Sequence, residues 1–155
     1  MADLPPDFRE LLEAFASAEV EAVVVGGYAV AFHGRPRATK DIDLLLGGTP
    51  ENLAAASKAL ETFGAPANIV RATASMKPSE VVFMGQPPLR VDLLQTIDGV
   101  ATEDVMARAV SAEIDGVPVR VIALDDLIVN KHAAGRPQDL EDARFLERVR
   151  DRRSR

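Results

Sequence analysis

Gly26-Gly27-Tyr28-Ala29-Val30-Ala31-Phe32-His33-Gly34-Arg35-Pro36-Arg37-Ala38-Thr39-Lys40-Asp41-Ile42-Asp43-Leu44-Leu45-Leu46 is the segment from which the fold is read. Before it, Ala22 to Val25 is a short β-branched run, the pattern of a buried strand, and the glycine pair closes it. Tyr28 to Phe32 suits one or two helical turns. Gly34 to Arg37 is loop, because the residue before Pro36 is biased away from helix. Asp41 to Leu46 is the next strand, stopped by Gly47-Gly48. Side chains alternate along a strand, so Asp41 and Asp43 share a face, about 7 Å apart at Cα. Two like charges so placed repel unless a cation lies between them.

The flanking pattern predicts an α/β (α+β) chain with a mixed sheet flanked by helices. Phe8, Leu11, Leu12 and Phe15 form one helical stripe in a helix of about Asp7 to Ala18. Thr49 and Pro50 start a helix that runs to about Phe63, with Gly64 ending it. A strand is expected at Ile69 to Ala72. Glu80–Met84 and Leu89–Leu94 read as an antiparallel hairpin through Gly85-Gln86-Pro87-Pro88. Thr102-Glu103-Asp104 caps a short helix to about Ala109. Asp115-Gly116 is a two-residue hairpin turn between Ala112–Ile114 and Val117–Ile122. Asp125-Asp126 suits the first turn of a helix ending near Gly135. Pro137 opens a last helix to about Arg150. Hairpins in the second half exclude an all-parallel doubly wound sheet.

With 155 residues and no composition break, residues 1–155 are expected to form a single domain, the helices at about 125–150 packing on it. The chain has no cysteine, which excludes thiolate metal sites and a cysteine nucleophile. No apolar run reaches membrane-spanning length and the start lacks a signal-like block, so a cytoplasmic protein with no membrane partner is expected. A formal net charge of −6 argues against a broadly basic nucleic-acid surface. Arg148, Arg150, Arg152, Arg153 and Arg155 read as a solvated helix end.

A bare Asp-x-Asp is compatible with a polar strand start paired to Arg35, Arg37 or Lys40. Asp92 shifts the balance. It lies inside the apolar run Val91-Asp92-Leu93-Leu94, where a charge is costly unless paired or metal-bound. If that strand neighbours the Asp41–Asp43 strand, three carboxylates converge. Such a set suits Mg²⁺, and two ions about 3.5–4 Å apart can hold the attacking and leaving oxygens of a phosphoryl displacement. Gly26-Gly27 lets backbone N–H groups face an anion. Neither a dinucleotide fingerprint nor a Walker loop is present. The segment therefore points to a metal-dependent enzyme acting on a nucleoside triphosphate.

Val25-Gly26-Gly27 followed, after thirteen intervening residues, by Asp41-Ile42-Asp43, with Asp92 on a later strand, resembles the signature of the nucleotidyltransferase superfamily of DNA-polymerase-β-like fold. The longer string from Gly26 to Leu44 is similar to the minimal branch of AbiEii-like toxins and of small proteins paired with HEPN-type ribonucleases. Leu127-Ile128-Val129-Asn130-Lys131 and Gly135 to Asp142 resemble the end of these domains. The resemblance spans about residues 20–148.

It implies that Asp41, Asp43 and Asp92 bind metal, that Asp92 helps activate the attacking hydroxyl, and that Gly26 and Gly27 hold the triphosphate. It implies that Lys131 neutralises a phosphate. The implied reaction transfers a nucleoside monophosphate from an NTP to a hydroxyl of a protein, a tRNA end or a small molecule, within a toxin–antitoxin system and with a partner protein or second copy. Two departures stand out: Gly27, where many relatives have serine, and Ala123, where relatives have a capping serine.

Other polar residues receive plainer readings. Arg35, Arg37 and Thr39 either order the loop by bonding Asp41, Asp142 or nearby backbone, or touch phosphate. His33 is expected to satisfy local backbone groups, with a substrate contact as the alternative. Arg136, Asp139 and Asp142 read as an ion pair or cap, and His132 as surface. Two other functions compete. An aspartyl phosphatase would place the pair at the C-terminal end of its strand, whereas here it begins the strand. A catalytically inactive binding module or antitoxin of the same fold would be expected to have lost one of the three acids.

Overall fold

The computed structural model describes residues 4–36, 39–85 and 89–154. Arg37, Gln86 to Pro88, expected from the sequence in a hairpin turn, and Arg155 lie outside the described residues. The elements in chain order are α1 (Pro6–Ser17), β1 (Ala22–Val25), α2 (Gly26–Phe32), β2 (Asp41–Leu46), α3 (Pro50–Phe63), α4 (Ala67–Ala74), β3 (Val82–Met84), β4 (Arg90–Leu94), α5 (Thr102–Arg108), β5 (Val110–Ile114), β6 (Val117–Val121), α6 (Leu124–Ala134) and α7 (Pro137–Arg153). The expected mixed α/β architecture is present: one six-stranded sheet of order β3-β4-β2-β1-β6-β5. β1 is antiparallel to β2 and parallel to β6, β2 is parallel to β4, and the outer pairs β3/β4 and β5/β6 are antiparallel hairpins.

The two faces of the sheet differ in chemistry. Val24, Leu44, Ile42, Leu93, Val91 and Val82 lie on the face whose buried side chains meet Phe8, Leu11, Leu12 and Phe15 of α1. The other face carries Val25, Asp43 and Asp92 in register across β1, β2 and β4. The two-residue alternation thus turns one side of the strands toward α1 and sets the acids on the opposite side, where Val23, Val25 and Leu45 are buried as well.

Several ends are fixed as the sequence predicts. Thr49 caps α3, its hydroxyl accepting from the Asn52 N–H at 3.1 Å, and Gly64 ends that helix in the left-handed conformation. Asn52 also works at longer range. Its side-chain oxygen accepts from Glu21 N–H at 2.7 Å, and its amide donates to the Glu21 and Gly47 carbonyls at 2.9 and 2.8 Å. One side chain therefore ties the start of β1, the end of β2 and the start of α3.

Three expectations are corrected. Ile69 to Ala72 is not a strand but part of helix α4. Pro66 starts that helix, Thr73 bonds back to the Ile69 carbonyl at 2.9 Å, and the Ser57 hydroxyl of α3 donates to the Val70 carbonyl at 2.8 Å. Docking on α3 overrides the β preference of two branched residues. Thr102 does not cap α5; Ala101 holds the cap position, and the Thr102 hydroxyl donates to the Gln95 carbonyl at 2.6 Å. Glu80 is not in a strand either, since its carboxylate accepts from the Lys77 N–H at 2.7 Å and β3 begins at Val82.

Candidate active site

Asp43 and Asp92 are direct register partners on neighbouring parallel strands, and their carboxyls stand close enough to hydrogen-bond. Burial, the charge of Asp92, that hydrogen bond and the charge of Asp41 together push Asp43 up to about 7, against a smaller opposing pull from Lys131. Two carboxyls in such contact hold a proton or a cation between them.

Asp41 lies two residues earlier on the same face, exposed at the start of β2. It contributes its charge to Asp43 from there. Among the described residues, no three His, Cys, Asp or Glu side chains are grouped tightly enough to enclose a metal ion. Arg90, the register partner of Asp41, engages both oxygens of Asp92, through Nε at 2.8 Å and Nη2 at 3.0 Å. The Asp43–Asp92 pair nevertheless fits a hard divalent cation. Its donors are all oxygen, and the two carboxyls stand side by side on neighbouring strands.

The glycine turn meets this pair directly. Gly26 has φ +67°, and a Cβ built on it would collide with the Asp43 carboxylate. Only a residue without Cβ both accepts that angle and lets the chain pass the acid so closely. A Cβ on Gly27 would come 3.0 Å from the Thr39 hydroxyl oxygen, so the place of the relatives' serine is crowded by Thr39. The Thr39 hydroxyl itself donates to the Asp41 carbonyl at 3.0 Å, ordering the entry to β2.

Lys131 is brought to the same cleft. Gly26, Asp43, Thr96, Asp98, Asn130, Lys131 and Arg136 line an opening of about 280 Å³. Lys131 is buried, with Nζ 3.3 Å from Asp139 and 3.5 Å from Asp142. Arg136 and Asp139 form the expected cap: Arg136 Nε donates to Asp139 at 2.7 Å while most of the arginine stays exposed. Burial raises Asp139, but hydrogen bonds from Arg136 and Lys131 and their charges outweigh it and hold the acid below the ordinary carboxylate range. Arg35 binds Asp142 at 2.6 Å, one of the loop-ordering readings, and its guanidinium lies 5.7 Å from the Phe145 ring centre.

His33 corrects its expectation. It does not satisfy local backbone; it is buried, and its Nε2 lies 2.7 Å from the carbonyl oxygen of Ile122 on a distant segment. Burial holds its pKa below the usual histidine value, the Ile122 hydrogen bond opposes this, and the Arg153 charge adds to it. His132 is exposed and pairs with Glu147 at 2.8 Å. Arg90 and Arg136 are the residues that the sequence reading missed as site components. For Arg90 a signal existed: it precedes Asp92 by two on a strand and so shares its face.

The mixed sheet thus sets a glycine turn directly against an acidic pair on β2 and β4. A family model described as nucleotidyl transferase of unknown function (DUF2204) matches residues 6–155, and the chain belongs to that family. No curated protein matches it in sequence. Among solved structures it is similar to the crystal structure of ANT(2'')-Ia in complex with adenylyl-2''-tobramycin, at 18% identity and TM-score 0.59, over 95% of this chain and 92% of that one. It is similar also to a solution structure of the antibiotic-resistance factor ANT(2'')-Ia, at 18% identity and TM-score 0.57, over 96% of this chain and 88% of that one. At that identity the likeness speaks for the fold. No helix among the described residues is long and apolar enough to cross a membrane.

Proposed function

We propose that the chain, as one catalytic domain, transfers a nucleoside monophosphate from an NTP to an acceptor hydroxyl with the help of a divalent cation. One observation carries this reading: the register of Asp43 with Asp92, set against the Gly26 turn on one side and the Lys131–Arg136 cleft beyond it. Asp43 and Asp92, joined by Asp41, would hold Mg²⁺, two ions in the fullest form, and the ions would supply charge neutralisation at the phosphates. Gly26 and Gly27 present backbone N–H groups to the triphosphate, and Lys131 with Arg136 faces its β and γ oxygens. The acceptor oxygen bonds to the α-phosphorus while the bond to the bridging oxygen breaks. Pyrophosphate leaves with the electron pair, and the hydroxyl proton passes to Asp92. Positioning and electrostatics supply most of the rate.

Protein, tRNA end and small molecule remain the acceptor classes of this reading. Membership of the branch containing AbiEii-like toxins and a toxin–antitoxin role belong to it as well and rest on the residue string Gly26–Leu44; aid from a partner protein or second copy and a cytoplasmic site where NTPs abound are further parts of the same reading. A non-catalytic binding module is favoured by one feature, the occupation of both Asp92 oxygens by Arg90. Calorimetric titration with ATP, with and without Mg²⁺, separates the two. The transfer reading expects Mg²⁺-dependent binding that Asp43→Ala abolishes, and labelling of one acceptor by an α-³²P NTP in lysate. Binding indifferent to Mg²⁺ and to Asp43 would overturn it.

A further inference from the structure

The acceptor side of the site carries its own chemistry, and an inference about it rests on the transfer reading above. Register partners share a sheet face, so Val25, Asp43, Asp92 and Phe83 form one row across β1, β2, β4 and β3. The two ends of this row are unlike. Beyond Val25 lie the glycine turn and the cations Lys131 and Arg136. At the other end Phe83 stands on the edge strand β3, 58% exposed, with the Arg90 guanidinium 5.2 Å from its ring centre. An in-line displacement needs the attacking and leaving oxygens on opposite sides of phosphorus. The leaving pyrophosphate belongs with the cations of the cleft. The hydroxyl therefore enters from the Phe83 end.

We propose that Phe83 and Arg90 form the acceptor subsite and that the acceptor is itself a nucleotide. Its base stacks on the open part of the Phe83 ring, its phosphate meets the Arg90 donor that Asp92 does not engage, and its ribose hydroxyl points to Asp92. The chemistry follows from the pair. A large aromatic ring held in water beside a catalytic acid is a stacking platform, and every base has a π-face. A guanidinium has five N–H donors; Asp92 takes Nε and one terminal nitrogen, which leaves the other terminal nitrogen directed elsewhere. Asp41 faces the same side, but Arg90 lies opposite it in register. An amino-sugar has no anionic group to meet that remaining donor.

The test uses the full chain saturated with Mg²⁺ and a non-hydrolysable ATP analogue, so that the first cleft is filled and its affinity is measured first. AMP, adenosine, a ribonucleotide trimer and tobramycin are then titrated in separately. The nucleotides bind and tobramycin does not. A free nucleotide acceptor gives AMP and trimer equal affinity, whereas an RNA end favours the trimer. Phe83→Ala weakens nucleotide binding about tenfold or more, and Phe83→Tyr restores it to within about threefold, as stacking requires. Arg90→Gln weakens both nucleotides more than it weakens adenosine. Nucleotide binding that Phe83→Ala leaves intact, no nucleotide binding, or preferential tobramycin binding would overturn the acceptor assignment alone. Failure of the ATP analogue to bind would overturn the transfer reading and this one with it.

Discussion

Gly26 and Asp43 constrain each other, and each makes a separable prediction. Alanine at Gly26 must adopt φ +67° and push its methyl into the Asp43 carboxylate. Gly26→Ala is expected to cost at least about 2 kcal/mol of stability in urea titration and to abolish Mg²⁺·ATP binding. Asp43 carries the opposite kind of tension. Its pKa is raised from 3.8 to about 7 in the fold, so the folded chain holds a proton that the unfolded chain has already lost. Stability therefore falls as pH rises through this window and levels off above it. Asp43→Asn removes that decline. In chelator-containing buffer the variant should match the parent near pH 4 and exceed it by roughly 2–4 kcal/mol near pH 8, read by denaturant titration. His33 has the reverse sign. Its pKa is lowered, so its contribution is present above the usual histidine range and is lost as pH falls through it. The two titrations oppose each other between those limits, which is why the variant and not the parent profile is diagnostic.

Helices and strands whose boundaries depend on local chemistry were readable from the chain. Thr49-Pro50 and Gly64 bracket α3, Asp115-Gly116 turns β5 into β6, and the glycine pair closes β1. What was not readable depends on partners distant in sequence. α4 is a helix because Ser57 and the rest of α3 receive it, which a window over Ile69 to Ala72 cannot report. The acidic positions were legible as a pattern, but the pairing of β2 with β4 that brings Asp43 to Asp92 was only a condition of that reading. Asp139, three residues on, accounts locally for Arg136 as an ion pair or cap; the arginine's place in the cleft comes from the packing of α6 on α7. Asn52 shows how one polar side chain can join three elements. Asn52→Ala removes the side-chain partner of the Glu21 N–H and of the Gly47 carbonyl, while the Glu21 carbonyl keeps the Gly47 N–H at 3.1 Å, and is expected to cost about 2 kcal/mol, measured by denaturant titration.

The tertiary arrangement makes the cleft a junction of distant segments. Gly26 and Asp43 come from the first third of the chain, Asp92 from a later hairpin, and Lys131 with Arg136 from the last two helices. Asp142 helps to lock that junction, meeting Arg35 from the loop after α2 and Lys131 from α6. Among the described residues, no single segment supplies all the groups of the proposed site. A triphosphate seated there would act as a fastener between the two ends of the polypeptide, engaging the native chain and ignoring the melted one. Mg²⁺·ATP at about a hundred times its dissociation constant should then add roughly 2.7 kcal/mol to unfolding, seen as a higher melting temperature that EDTA cancels. Proteolysis in the ligand's presence should slow at the N-terminal and C-terminal halves together, since neither can loosen while the other stays bound.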